Sequence, residues 1–101
     1  PFSGSKGELE KSLEQLPDLV ADALTKWRVA TLDREKTEAV LFLRFKVGGE
    51  KRTGDELKAM VRADDGRYAA VLKEAMAESN YTRLNDRLMS FKRLAALRTA
   101  Y

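Results

Sequence analysis

Apolar residues recur at helical spacing along most of the chain, and the first long run of them predicts a helix. Between Pro17 and about Val47, the side chains of Val20, Leu24 and Trp27 fall on one stripe, because positions three or four apart share a helix face. The apolar face broadens toward the end of this segment. A helix of about 31 residues spans roughly 45 Å at ~1.5 Å per residue.

A second apolar stripe predicts another long helix, which runs to about Thr99. Asp64 or Asp65 can accept hydrogen bonds from the first amide groups of this helix, as N-cap residues do. The stripe passes Tyr68 early and Leu88 late. Because no proline follows position 17, the strongest helix breaker is absent from this whole region.

The connection between the two long helices is marked by glycines and predicts a short helix of its own. Glycines stand at positions 48, 49, 54 and 66. Between them, Thr53 and Glu56 form a capping box, in which a hydroxyl and a carboxylate satisfy the first amide groups of a helix. The residues that follow, Leu57, Met60 and Val61, give this short helix an apolar face.

The start of the chain predicts a short N-terminal helix ahead of Pro17 or, alternatively, an extension of the next helix. Leu9, Leu13 and Leu16 recur at helical spacing there, and proline often separates two helices or begins the second. We expect residues 1–7 to be a disordered lead-in and residues 8–101 to form a single domain.

Together these elements predict an all-α fold: an antiparallel helical hairpin of two long helices, with a short helix in the connection and a short N-terminal helix. If the chain folds back at the middle of the connection, facing residues have numbers that sum to about 114. This register sets the polar residues 31–38 against the polar residues 78–86, and the apolar residues 20–27 against residues 88–94.

A two-helix hairpin has one contact face, so apolar residues elsewhere on it need a further partner. The residues that the periodicity leaves without one are Val40, Leu41, Phe45, Met89 and Leu97. We therefore expect a homo-oligomer.

Composition excludes most kinds of active site. The chain contains neither cysteine nor histidine, which excludes disulfides, thiolate or imidazole metal sites and a histidine general base. The connection also lacks the G-x-x-x-x-G-K-[ST] spacing of a phosphate-binding loop. We expect no enzyme activity, no cofactor and no metal. The longest apolar run, AVLFL, is far below the ~20 residues needed to cross a bilayer, and we expect a cytoplasmic protein without a membrane partner.

Charge is unevenly distributed along the chain, whose net charge is +3. Residues 1–24 hold two lysines and five acids, whereas residues 83–101 hold five bases and one acid. Residues 44–58, around the connection, hold a further five basic and three acidic residues. Such bases either solubilise helix faces and complement the helix dipole or contact nucleic-acid phosphates, which needs no sequence-specific readout.

The order of these features resembles a known group of proteins. The connection KRTGDELKAMVRADDGRYAAVLKEA and the closing helix RLMSFKRLAALRTAY are similar to small helical-hairpin proteins encoded among phage recombination genes. More distantly, they are similar to UvsY-type recombination mediators. The resemblance covers roughly Leu16 to Tyr101 and is strongest in TGDELKAMV, at residues 53–61.

The resemblance implies an oligomer that binds single-stranded DNA and helps to load a RecA-type recombinase against the single-strand binding protein. The DNA contacts of such mediators are made by basic residues at the end of the first long helix and in the bend. The matching residues here are Arg44, Lys46, Lys51 and Arg52. The alternative is a non-enzymatic coiled-coil adaptor or structural protein that docks a protein partner and binds no nucleic acid.

Overall fold

The computed structural model describes residues 5–48 and 51–100, which form three helices and contain no strand. Helix α1 runs over Ser5–Val47, α2 over Gly54–Ala63 and α3 over Asp65–Ala100. The two long helices pack against each other in antiparallel orientation and give a hairpin 70 Å long and about 20 Å across, with dimensions of 70 × 21 × 18 Å. The predicted all-α hairpin with a short connecting helix is confirmed.

The prediction of a separate N-terminal helix was wrong, because α1 continues through Pro17. A proline inside a helix removes one main-chain hydrogen bond and crowds the preceding turn. The packing on both sides of this position favours a continuous helix, since Leu16 is buried and Val20 is half-buried on the same stripe. The expected lead-in, residues 1–7, lies largely outside the described residues, which begin with Ser5 at the start of α1.

The core of the hairpin is a seam of side chains at alternating spacings of three and four residues. Leu16, Ala23 and Leu41 are buried on α1, and Leu88 is buried on α3. This spacing is that of a coiled-coil contact stripe. The prediction that Leu41 needs an external partner was wrong, because its side chain is only 6% exposed and belongs to the seam.

Trp27 lies in the seam and packs against Tyr81. The two rings have centroids 5.4 Å apart and planes tilted by 31°. Aromatic pairs in this distance range gain stability beyond the area that they bury. The single tryptophan of the chain therefore serves the hairpin core and reports on it.

The register of the hairpin differs from the predicted one. The predicted register would set Arg87 opposite Trp27, whereas the structure sets Tyr81 there, six positions earlier on α3. The same shift sets Glu74 opposite Arg34. Matching polar with polar residues did not identify this register, because it ignores the sign of the charges that face each other.

An ion-pair network in the middle of the seam accounts for the observed register. Arg34 donates from Nε to Glu74 Oε1 at 2.8 Å and from Nη1 to Glu38 Oε1 at 3.0 Å. Arg67 lies on the other side of Glu38, with its Nε 3.5 Å from Oε1. The four side chains are only 18–31% exposed. Polar groups at such seam positions specify register, because a shifted register would leave them without partners.

The hydrogen bond from Arg34 lowers the pKa of Glu74 below its ordinary value of 4.5, and a hydrogen bond from Thr31 lowers it further. Burial of the carboxylate opposes this shift. The hydrogen bonds to Glu74 and Glu38 raise the pKa of Arg34 above its ordinary value. The pair is therefore fully charged at neutral pH.

Two side-chain caps form the turns of the connection, as predicted. The Thr53 hydroxyl accepts a hydrogen bond from the Glu56 amide at 3.2 Å at the start of α2. Asp64 caps α3, because its Oδ1 accepts from the amides of Gly66 at 2.8 Å and Arg67 at 3.3 Å. Its own amide donates to Val61 and ends α2. One aspartate thus separates the two helices.

Candidate nucleic-acid interface

The four basic residues expected to contact DNA lie at the end of the hairpin where the chain turns back. Arg44 and Lys46 belong to the last turn of α1, and Lys51 and Arg52 lie in the segment before α2. The side chains of Arg44, Lys46 and Lys51 are exposed, whereas Arg52 is half-buried. The hairpin therefore presents these bases at one end of its 70 Å length.

The four bases do not form one flat patch. Arg44 and Lys46 are two positions apart in α1, which separates them by about 200° around the helix axis. Arg44 lines a groove between α1 and α3, and Lys46 does not. Arg44 and Lys46 thus lie on different faces of α1, and a bound strand would have to pass around the end of this helix to contact both.

The groove beside Arg44 adds two bases that sequence reasoning did not assign to the site. Its volume is about 560 Å³, and Lys36 and Lys73 line it together with Asp33 and Asp64. The spacing of eight residues between Lys36 and Arg44 could have indicated a shared face. Lys73 could not have been found this way, because only the register of α3 brings it to the groove.

The exposed bases at the bend take little part in the hairpin's own ion pairs. Within the described residues, the ion pairs use Lys26, Arg34 and Arg67 as cations. Arg44 and Lys46 make none of them, and their charges complement the negative end of the α1 dipole. Their guanidinium and ammonium donors remain accessible to a phosphate oxygen.

The bases at the other end of the hairpin face a different environment. Because the helices are antiparallel, the acidic residues 5–24 and the basic residues 83–100 belong to the same end, where their charges of −3 and +4 nearly cancel. Arg83 donates to Asn80 at 3.1 Å, and Arg87 lies 5.9 Å from the Phe91 ring centroid. The cationic excess is therefore concentrated at the bend more than at this end.

The described residues offer little else that could perform chemistry. They contain no cluster of acidic side chains that could hold a metal ion. None of their helices is both long and apolar enough to cross a membrane. Among them, Tyr68 is the only aromatic residue with an exposed side chain, and it lies on the first turn of α3.

Comparison with known proteins gives no evidence about the function of this chain. No protein family matches the chain, and no curated protein or solved structure shows significant similarity to it. The similarity to phage recombination mediators therefore remains a prediction from the sequence pattern.

Proposed function

We propose that this protein is a non-enzymatic, oligomeric accessory protein of phage-type DNA recombination that binds single-stranded DNA without sequence preference. Arg44, Lys46, Lys51 and Arg52 contact the phosphates. The observation that carries the proposal is the exposure of three of these bases at one end of the hairpin, outside its internal ion pairs. The partners implied by the resemblance are a RecA-type recombinase and the single-strand binding protein.

The contacts are electrostatic, because few other binding modes fit this surface. The nucleobases of a single strand usually stack on exposed aromatic rings, and Tyr68 offers one such ring in the described part of the chain. Trp27 is occupied by its packing against Tyr81. Phosphate contacts therefore supply most of the affinity, and any base sequence is bound about equally well.

Salt dependence gives the expected magnitude. Four phosphate contacts on a single strand give a slope of log K against log salt of roughly −3. Raising the salt from about 50 to about 200 mM then weakens binding by roughly 50-fold per protomer. Several copies on one strand add avidity to these weak single contacts.

The test is fluorescence anisotropy of a labelled oligothymidine, with the mass of the same sample measured by light scattering. A variant with Arg44, Lys46, Lys51 and Arg52 all changed to glutamine is expected to lose most binding and most of the salt dependence. Its helix content, measured by circular dichroism, should be unchanged because the side chains of Arg44, Lys46 and Lys51 are exposed and Arg52 lies outside the helices.

The matched control changes four bases at the far end of the hairpin to glutamine, so that both variants lose four charges. These bases are Arg83, Arg87, Lys92 and Arg93. The control is expected to bind nearly as well as the unaltered protein. Equal losses in both variants would refute the assignment to the bend, and unchanged affinity in the bend variant would do so as well.

A second candidate function is the coiled-coil adaptor, and the exposed apolar side chains of the long helices favour it. Leu32 is 64% exposed, Leu43 is 59% exposed and Leu97 is 57% exposed. Such surface is typical of a protein that docks another protein. Absence of DNA binding even at about 50 mM salt would favour this candidate over the first.

A further inference from the structure

An apolar stripe runs along the outward face of α1 on both sides of Lys36. Its members share helical spacing and large exposed fractions, which are 52% for Val29, 64% for Leu32, 45% for Val40, 59% for Leu43 and 81% for Val47. Val29 is two positions from the seam residue Trp27, or about 200° around the helix, so its side chain points away from α3, and the other four members lie within about 60° of it around the axis. Val40 also borders the groove between α1 and α3. We call these five residues the outer stripe. Only Lys36 interrupts it.

We propose that the outer stripe is the interface with a second copy of this chain, which packs on it in antiparallel orientation about a two-fold axis near Glu38. The proposal deepens the oligomer of the proposed function by naming its surface and the direction of its partner. It predicts a symmetric dimer as the basic unit.

The spacing of the outer stripe suits a second copy of itself. With a two-fold axis near Glu38, Val29 lies opposite Val47 of the second copy, and Leu32 lies close to Leu43 of the second copy. Lys36 then lies opposite Val40, where its methylene stem covers apolar surface while its ammonium group reaches water. Four members of the stripe therefore meet an apolar residue, and Val40 meets the methylene stem of Lys36.

The charges beside the outer stripe favour the antiparallel orientation. In a parallel dimer, Lys36 would face its own counterpart at the centre of the interface. In the antiparallel dimer, Asp33 of one copy lies beside Arg44 of the other. Asp33 and Arg44 both line the groove between α1 and α3, so they occupy the same flank of the stripe, where antiparallel helices bring such pairs together.

The area of the outer stripe is sufficient for a dimer. Five side chains that each expose roughly 100 Å² amount to roughly 500 Å² per copy, and two copies would bury about 1,000 Å², the lower limit of a specific interface. A contiguous apolar patch of this size is at the upper end of what monomeric proteins leave in water.

The dimer has a consequence for the bend. The ends of α1 in the two copies lie 18 residues apart along the shared axis, which is roughly 27 Å. Each Arg44 can contact Asp33 of the other copy and keep donors for a phosphate, because a guanidinium has five N–H groups. The two basic bends of a dimer then provide two contact points for one strand.

Cysteine cross-linking tests the interface and its direction, because the chain has no native cysteine. Val29→Cys and Val47→Cys are prepared singly, then oxidised alone and as a mixture. We expect disulfide-linked dimers in the mixture and few with either variant alone, since identical positions are roughly 27 Å apart in the antiparallel dimer. Efficient linking of each variant to itself indicates a parallel dimer and overturns the proposal. No linking in any sample overturns it as well.

Light scattering without DNA provides the second measurement. The unaltered protein should have twice its chain mass of 11.4 kDa, and the variant Leu32→Glu, Leu43→Glu should have the monomer mass with its helix content retained. The control is Leu72→Glu, Leu97→Glu on α3, whose targets are 49% and 57% exposed and which should stay dimeric. A monomeric unaltered protein, or a dimer that the stripe variant leaves intact, overturns the proposal.

The two proposals fail in different ways. A dimer with the expected cross-links that binds no oligothymidine refutes DNA binding and supports the interface. A monomer that binds oligothymidine with the expected salt dependence refutes the interface and supports the phosphate contacts.

Discussion

The ion pair between Arg34 and Glu74 gives the sharpest prediction about the hairpin itself. The two side chains are 25% and 18% exposed and are joined by a 2.8 Å hydrogen bond. Exposed pairs contribute about 0–1 kcal/mol, whereas breaking a buried pair costs about 3–5 kcal/mol. The partial burial of this pair lies between these cases, and we expect Arg34→Ala to reduce the free energy of unfolding by about 2 kcal/mol.

A double-mutant cycle separates the pair from the packing of the two side chains. Arg34→Ala, Glu74→Ala and the double variant are unfolded with urea at one protein concentration and followed by Trp27 fluorescence and circular dichroism. We expect a coupling free energy of about 1–2 kcal/mol at pH 7. The control is the cycle for Asp22 and Lys26, whose charged atoms are 3.0 Å apart but which are 61% and 70% exposed, and for which we expect at most about 0.5 kcal/mol.

The coupling should also depend on pH in a defined direction. The hydrogen bond from Arg34 lowers the pKa of Glu74 in the folded state below its ordinary value of 4.5. Stability from this pair is therefore fully present above pH 4.5 and is lost as the pH falls through the lowered folded value. Additive effects of the two substitutions at pH 7, or a coupling that grows on acidification, would refute the role of this pair in holding the register.

The helix ends give further predictions. Asp64→Ala should destabilise the protein by about 1 kcal/mol in urea unfolding, because it removes the acceptor for two amides at the start of α3, whereas Asp65→Ala should cost clearly less. An equal cost at both positions would argue against the cap. Gly66→Ala should stabilise by clearly less than the ~1 kcal/mol that this change gives at an unhindered helix position, since an added Cβ would lie 3.0 Å from Asp64 Oδ1 and displace the cap, and a full gain would contradict the close contact. Pro17→Ala should stabilise by up to ~3 kcal/mol, as measured by thermal unfolding, because it restores a main-chain hydrogen bond within α1. Unchanged stability would indicate that the helix does not depend on this turn.

The sequence was sufficient to predict the helices of this protein because their causes are local. Apolar spacing of three and four residues defines α1 and α3, and the side chains of Thr53 and Asp64 cap the helices on which they act. The break at Pro17 was predicted wrongly, because the cost of a proline inside a helix can be offset by packing against another helix, which the local sequence does not show. The loss of one hydrogen bond did not outweigh the seam on both sides of it.

The register could not be predicted from polarity alone. Many alignments of two amphipathic helices place polar beside polar residues, and the choice among them depends on single pairs such as Arg34 with Glu74. The same limit applies to the candidate site. Arg44 was visible as a base near the bend, but Lys73 joins its groove only through the register of α3. Sequence patterns therefore identified which residues carry charge, and the fold determined which of them are neighbours.

The central claim is that the bases at the bend bind phosphates, and the salt dependence of oligothymidine binding tests it most directly. Anisotropy titrations between about 50 and about 200 mM salt should give a log–log slope of roughly −3 per protomer for the unaltered protein. The slope should be close to zero when Arg44, Lys46, Lys51 and Arg52 are glutamine. No binding at about 50 mM salt, or the same slope in both proteins, would contradict the account.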